Sequence, residues 1–245
     1  MRGPDLNPVY LSVIIPVYNE EERIIPALKD IVEYLSEKGI TWEIIVAEDG
    51  SKDNTVARVQ EFALNQKGII LLTDPVRRGK GYAVRQGMLK SNGKYVLFTD
   101  ADLSAPISEL DKLLFYLERG YDIAIGSRAL RDSSVRVNFT RRIAGTVFNF
   151  IVRFLLLPDI VDTQCGFKCF RGDVAKELFS EQKMNGFSFD VEILYLARLK
   201  GYRIKQVPIR WYQSDSSRVD IFRDSLKMFK DVLEIRKRCK CGGKV

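Results

Sequence analysis

Histidine is absent from this chain of 245 residues, and cysteine is scarce, being present only at positions 165, 169, 239 and 241. Without histidine there is no Ser-His-Asp triad, no histidine general base and no histidine-ligated zinc site. The cysteines form no CxxC pair, and a closed zinc site would require all four of them. They therefore indicate ordinary thiols in a reducing compartment rather than a disulfide framework.

The sequence also lacks an apolar leader and a long apolar run. Its first residues, MRGPDLNPVYLSVIIPVYNEEE, have neither the hydrophobic region nor the cleavage site of a signal peptide. The longest apolar tract, residues 143–158, is interrupted by Arg153 and is shorter than the roughly 20 residues that a spanning helix needs. We therefore expect a cytoplasmic protein with no transmembrane helix.

Composition supports a folded core and leaves the partner open. Hydrophobic residues make up 46% and charged residues 29% of the chain, so a globular domain can form. The 39 basic and 32 acidic residues give a net charge of +7. This modest excess is compatible with nucleic acid, an anionic membrane surface or phosphorylated small molecules.

The first half of the chain alternates apolar strands with amphipathic helices. Strands are predicted at 11–16, 42–48, 69–73, 95–99 and 122–126, and the helices between them include 21–38, 81–91 and 108–118. Strands that are apolar throughout predict an α/β fold, with a mostly parallel sheet covered by helices on both faces. Polar clusters that follow these strands should then meet at one edge of the sheet, where ligands bind.

The second half of the chain does not continue the regular alternation of strands and helices. Residues 162–171 read as a turn-rich segment, 190–200 as a helix, 202–210 as a strand and 222–237 as a basic amphipathic helix. The terminal helix can pack on the sheet or lie in a membrane interface.

Asp100 and Asp102 flank Ala101 directly after the predicted strand 95–99. Side chains at i and i+2 of an extended segment point the same way, so these carboxylates can converge on one cation. Magnesium or manganese is commonly bound by one or two carboxylates together with phosphate oxygens of a substrate. The simpler alternative is that these acids cap the next helix.

Two further features suit a nucleotide. Asp49 follows the second strand, where an acid can accept hydrogen bonds from a ribose or a base edge, or else serve as a turn residue. Lys80 lies between two glycines before a predicted helix, which suits a diphosphate, although the segment is not a Walker A motif and is also explained as a flexible loop.

Between positions 127 and 153 there are six arginines, one acid and no lysine. Arginine is favoured for bidentate recognition of phosphate, although a charge run is also the usual composition of a solvated face. Arg142 and Thr146 are four residues apart, so a helix would place both on one face. The apolar run 147–157 follows them, and an anionic group next to an apolar body is a property of a lipid phosphate.

Several motifs in order resemble those of glycosyltransferase family 2 enzymes with the GT-A fold, and within that family the dolichyl-phosphate β-glucosyltransferases and related polyprenyl-phosphate glycosyltransferases. The segments are SVIIPVYNEEERI (12–24), EIIVAEDGSKDNT (43–55), GKGYAVRQGM (79–88), DADLS (100–104), GSR (126–128), DTQCGFKCF (162–170), FDVEILYLA (189–197), VPIRW (207–211) and SSRV…DSLKM (216–228). They cover nearly the whole chain.

The resemblance implies roles for individual residues. Donor-binding residues would be Pro16, Tyr18, Glu20, Asp49, Lys80, Asp100, Ala101 and Asp102. Asp100 and Asp102 would also hold Mg²⁺ or Mn²⁺ and, with Arg218 closing over the donor phosphates, form the catalytic set. The phosphate of the acceptor would be bound by Arg128, Arg142 and Thr146.

The implied reaction is inverting transfer of a hexose, glucose from UDP-glucose being favoured, onto dolichyl or polyprenyl phosphate, without a general base. The expected organisation is a GT-A domain at 1–221, with a nucleotide-sugar half (1–126) and an acceptor half (127–221), followed by the helix and tail at 222–245. The expected location is the cytoplasmic surface of a membrane, with peripheral attachment.

Two other functions remain as alternatives. A family 2 transferase to a sugar hydroxyl would need a base, for which Asp190 or Glu192 could serve. A nucleic-acid-binding module would fit the net charge but not the acidic motif at a strand end, so no nucleic-acid partner is expected.

Overall fold

The computed structural model describes residues 8–136, 152–212 and 221–241. The strands are β1 (Leu11–Val17), β2 (Trp42–Glu48), β3 (Ile69–Leu72), β4 (Tyr95–Thr99), β5 (Ile123–Ser127), β6 (Ser134–Arg136), β7 (Phe167–Arg171), β8 (Ile204–Pro208) and β9 (Arg210–Tyr212). The helices are α1 (Ile24–Glu37), α2 (Thr55–Asn65), α3 (Lys80–Lys90), α4 (Leu110–Leu117), α5 (Gly172–Glu181), α6 (Phe189–Leu199) and α7 (Ile221–Cys241), with a 3-10 turn at Ile107–Glu109.

Seven strands form one sheet in the order β3-β2-β1-β4-β7-β5-β8. The neighbouring pairs are parallel except those made by β7, which runs antiparallel to both β4 and β5. A parallel pair of short strands, β6 and β9, lies outside this sheet. The prediction of a mostly parallel α/β sheet is confirmed.

The core lies on both faces of the sheet because strand side chains alternate between them. Along β1, Ile14 belongs to one buried cluster with Phe98 of β4, whereas Val13 and Ile15 belong to the other. The second cluster receives the apolar face of α1, whose side chains recur every three or four residues at Ile24, Leu28, Ile31 and Leu35. Burial on both faces explains why the parallel strands are apolar throughout.

The predicted strands and helices of the first half are confirmed, and their ends differ from the prediction by at most three residues. Helix α1 is followed by Gly39 with φ of +63°, a left-handed conformation that ends helices and that glycine adopts without strain. Since each parallel strand points the same way, the loops after β1, β2 and β4 emerge at one edge of the sheet.

The second half departs from the predictions. The turn-rich reading of residues 162–171 was wrong at its end, because Phe167–Arg171 is a central strand of the sheet. The predicted strand 202–210 is two strands, β8 and β9, which separate after Pro208 and pair with different partners. The terminal helix is confirmed and extends to Cys241.

In the described ranges, no helix combines the length and the apolar character that crossing a membrane requires.

Candidate functional site

A cavity of about 580 Å³ opens at the edge of the sheet where β1, β2 and β4 end. The structure brings together all eight of the residues that the sequence predicts to bind a donor. These lining residues are Pro16, Tyr18, Glu20, Asp49, Lys80, Asp100, Ala101 and Asp102. Their convergence follows from the topology, because the carboxyl ends of three adjacent parallel strands meet there.

Asp49, after β2, organises the loop that leads into α3. Its Oδ1 accepts a hydrogen bond from the backbone N–H of Arg78 at 2.7 Å, and its Oδ2 accepts one from Gly79 at 2.8 Å. The side chain is almost fully buried, at 3% exposure. Each carboxylate oxygen retains a second lone pair, so Asp49 can fix this loop and still accept a hydrogen bond from a ligand in the cavity.

Lys80 and Asp100 form an ion pair inside the cavity, with Nζ 2.6 Å from Oδ1. Burial lowers the pKa of Lys80, but the negative charges of Asp100, Asp190 and Asp102 outweigh that effect, so the pKa lies above its ordinary value. Lys80 is therefore a permanent cation at neutral pH. A cation in this position can neutralise the phosphates of a bound nucleotide.

Asp100 is packed closely against the start of β7. A Cβ at Gly166 would lie 2.0 Å from the Asp100 Oδ2, so only glycine leaves room for this carboxylate. Asp102 is oriented by its own turn, in which its Oδ1 accepts a hydrogen bond from the N–H of Ser104 at 3.0 Å.

The donor set at this point fits a hard divalent cation. Asp100 and Asp102 both line the cavity and offer oxygen ligands, as Mg²⁺ and Mn²⁺ prefer. No group of three or more His, Cys, Asp or Glu side chains suited to a metal is found within the described part of the chain. Two carboxylates completed by substrate oxygens are the usual protein contribution to a magnesium site of this kind.

Arg128, predicted to bind the acceptor phosphate, is held by Asp162. Its Nε lies 2.8 Å from Oδ2 and its Nη2 lies 2.9 Å from Oδ1, a bidentate arrangement. Burial raises the pKa of Asp162, but the charge of Arg128 outweighs it and the pKa lies below its ordinary value. The guanidinium also lies 5.0 Å from the centroid of the Trp211 ring. Arg142, Thr146 and Arg218 lie outside the described residues, and their roles stay predictions.

The two candidate bases are both buried near the start of α6 and both engaged. Asp190 forms an ion pair with Lys168 of β7, which also donates to the carbonyl of Cys165 at 2.8 Å. Burial raises the pKa of Asp190 even against the charges of the neighbouring lysines. Glu192 is fully buried and accepts hydrogen bonds from the backbone of Lys183 and Met184.

Comparisons with known proteins decide the family. Residues 12–179 match the model of glycosyl transferase family 2. The dolichyl-phosphate β-glucosyltransferase of Dictyostelium discoideum is 38% identical over 96% of this chain and 76% of its own length, and the human protein of the same name is 34% identical over 95% and 76%. The chain belongs to glycosyl transferase family 2.

Solved structures agree with this family 2 membership at the level of the fold. Glucosyl-3-phosphoglycerate synthase of Mycobacterium tuberculosis, in complex with UDP, superposes with a TM-score of 0.69 at 21% identity, over 95% of this chain and 80% of that one. The same enzyme with Mn²⁺ and UDP-glucose gives a TM-score of 0.67 at 20% identity, over 93% and 77%. The prediction of a GT-A fold is confirmed.

The cavity of this family 2 chain also has lining residues that sequence reasoning missed. Arg77 lies with its guanidinium 3.9 Å from the centroid of the Tyr18 ring. The cavity is also lined by residues 184–187 and, from α7, by Met228 and Asp231. Met228 ends the motif segment SSRV…DSLKM (216–228), whereas no motif marks Arg77, Asp231 or residues 184–187. The residues of α7 and of the segment before α6 reach the cavity through packing of parts of the chain that are distant in sequence.

Proposed function

We propose that this chain transfers glucose from UDP-glucose to the phosphate of dolichol or a related polyprenol, inverting the anomeric carbon. The observation that carries the proposal is one cavity that joins a loop-fixing acid, a permanent lysine cation and two carboxylates suited to a metal. Relatives named dolichyl-phosphate β-glucosyltransferase, 34–38% identical over more than nine tenths of the chain, support the choice of sugar and acceptor.

The chemistry needs positioning and charge rather than a base. A phosphate monoester loses its second proton near pH 6, so a lipid phosphate already presents an oxyanion at neutral pH. That oxygen attacks the anomeric carbon, a new C–O bond forms on the opposite face, and the bond to UDP breaks with its electron pair passing to the β-phosphate. This route is consistent with a chain that has no histidine.

Different residues of the chain have different roles in this reaction. Asp49 and the backbone that it fixes shape the wall for the nucleoside, and Lys80 places positive charge where the diphosphate departs. Asp100 and Asp102 would hold Mg²⁺ or Mn²⁺, which supplies further positive charge to the leaving group when bound. Arg128, with Arg142 and Thr146, would receive the acceptor phosphate, and Arg218 would close over the donor.

Peripheral attachment to a membrane would bring the enzyme to its lipid. On α7, Phe229 and Leu233 are 39% and 44% exposed and are four residues apart, so both lie on one face of the helix. The exposed Lys230 and Lys237 belong to the same helix. Exposed apolar side chains beside lysines are the composition of an interfacial helix on an anionic membrane. Flotation with vesicles containing anionic lipid, compared with neutral vesicles, measures this attachment.

The decisive assay follows radiolabelled sugar from UDP-glucose, GDP-mannose or UDP-GlcNAc into the lipid phase with phosphorylated polyprenol and Mg²⁺ or Mn²⁺. Label should move from UDP-glucose only, and chelation should stop the transfer. Asp102→Ala should lose activity by at least about 100-fold, the scale of losing a transition-state charge partner, whereas the exposed control Asp173→Asn should keep it. Label on a free saccharide rather than the lipid would assign the protein to hydroxyl acceptors.

A further inference from the structure

The C-terminal helix α7 forms part of the wall of the donor cavity. Its Met228 and Asp231 line that cavity, and Val232 and Ile235 are fully buried in the core. Asp231 also accepts a hydrogen bond through Oδ2 from Ser188 Oγ, at 2.6 Å, where α6 begins. The helix is therefore attached to the body of the enzyme at the level of the site.

A second polar attachment joins α7 to a fully buried carboxylate. The guanidinium of Arg238 contacts Glu192 Oε1, and its side chain is 33% exposed whereas that of Glu192 is 0% exposed. Both Glu192 oxygens accept hydrogen bonds from the N–H of Lys183 at 3.0 Å, and Oε2 also accepts one from Met184 at 2.8 Å. Since a buried carboxylate is costly without a positive partner, Arg238 stabilises the position of Glu192 and hence of the backbone at 183–184.

The segment that contains this backbone, residues 182–187, packs against the start of α3, which carries Lys80. The side-chain amide of Gln182 donates through Nε2 to the carbonyl of Gly81 at 2.8 Å, and the backbone N–H of Tyr82 donates to the carbonyl of Asn185 at 3.2 Å. The approach is close, because a Cβ at Gly79 would lie 2.4 Å from the Asn185 carbonyl oxygen and one at Gly81 would lie 2.6 Å from that of Met184. Lys80 lies between these two glycines.

We propose that Arg238 and Glu192 are positioning residues for the donor: their ion pair sets the segment 182–187 against α3 and so places Lys80 at the diphosphate. The C-terminal helix then controls donor affinity without contributing the charge that binds the donor. The identity of the donor, UDP-glucose, rests on the proposed function, but the mechanical link from α7 to α3 does not.

A purely structural role for the ion pair predicts a different result. If Arg238 only stabilised the fold, its removal would lower the melting temperature and leave the donor affinity of the folded protein unchanged. If it positions the donor site, its removal weakens donor binding selectively. The ligand-free backbone at 182–187 and at the start of α3 should also open more often.

The test compares Arg238→Met, which removes the charge, with Arg238→Lys, which retains it, and with Lys29→Met, which removes an exposed lysine from α1. The first measurement is hydrogen exchange of the ligand-free protein at the amides of residues 82, 183 and 184. The second is calorimetric titration with UDP and Mn²⁺. The third is steady-state kinetics, varying UDP-glucose and polyprenyl phosphate separately.

We expect Arg238→Met to accelerate exchange at those three amides, and to weaken UDP binding and raise the KM for UDP-glucose about tenfold, equivalent to about 1.4 kcal/mol. The KM for polyprenyl phosphate should not change, Arg238→Lys should recover most of the affinity, and Lys29→Met should match the unaltered protein. Unchanged exchange, or faster exchange with unchanged UDP affinity, would overturn the proposal. If the unaltered protein binds no UDP, the proposed donor is wrong, and the exchange data alone decide the link between α7 and α3.

Discussion

Replacing Gly166 with alanine should disable the site by displacing one carboxylate. The new Cβ would begin 2.0 Å from Asp100 Oδ2 and 2.6 Å from its Cγ. An ordinary carbon–oxygen contact is about 3.3 Å, so relief of a 2.0 Å contact requires a movement of about 1.3 Å. A misplacement of about 1 Å at a catalytic group can cost about 100-fold in rate. We therefore expect kcat/KM to fall about 100-fold, or about 2.7 kcal/mol of transition-state stabilisation.

The assay is transfer of labelled glucose to polyprenyl phosphate, together with calorimetric titration of Mn²⁺, at a temperature where circular dichroism shows the variant to be folded. Gly39→Ala is the matched control, since a methyl group at this position would have no atom within 4 Å and only the φ of +63° resists the change. That variant should lose about 1 kcal/mol of stability and no activity per folded molecule. A folded Gly166→Ala protein with activity within about threefold of the unaltered enzyme would refute the reasoning.

Three further outcomes are expected. Lys80→Met should tighten the binding of Mn²⁺ alone about fivefold, because the ammonium no longer competes for Asp100, and it should weaken the binding of UDP. Calorimetry measures both affinities, and weaker binding of Mn²⁺ would contradict the competition. Burial raises the pKa of Asp162, but Arg128 lowers it below the value near 4 that the residue has in the unfolded chain. The pair therefore stabilises the fold above about pH 4, and this stability is lost as the pH falls further. Urea midpoints from pH 5 to 3 should fall less for Asp162→Asn, and parallel curves would argue against the pair. Burial raises the pKa of the Cys165 thiol to about 12, so mass spectrometry should find it alkylated at pH 8 only after unfolding.

The sequence predicted the cavity well because its determinants are local. Each acid or aromatic residue follows an apolar strand directly, and strand direction alone brings Tyr18, Asp49 and Asp100 to one edge. Helix α5 was not predicted although it has a local signal of the same kind, since Val174, Ala175, Leu178 and Phe179 recur at helical spacing and are buried.

Strand β7 could not be predicted from apolar periodicity. Its second residue, Lys168, is 2% exposed, and a charged side chain in an internal strand is tolerated only with a partner such as Asp190, which lies in α6. The preceding Asp162 and Gly166 also resemble turn residues, although one holds Arg128 and the other admits Asp100. These roles depend on contacts between residues distant in sequence, which no window along the chain contains.

The antiparallel insertion of β7 also determines the order in which strands can pair during synthesis. Within the main sheet, β5 is bonded only to β7 and β8, whose residues begin 40 or more positions later in the chain. During synthesis, β1 to β4 can pair before β7 has been made. The apolar strand β5 has no strand partner in the main sheet until β7 and β8 are synthesised. Aggregation of truncated chains should therefore be greatest for those that end between β5 and β7, because β5 then lacks both of its strand partners in the sheet.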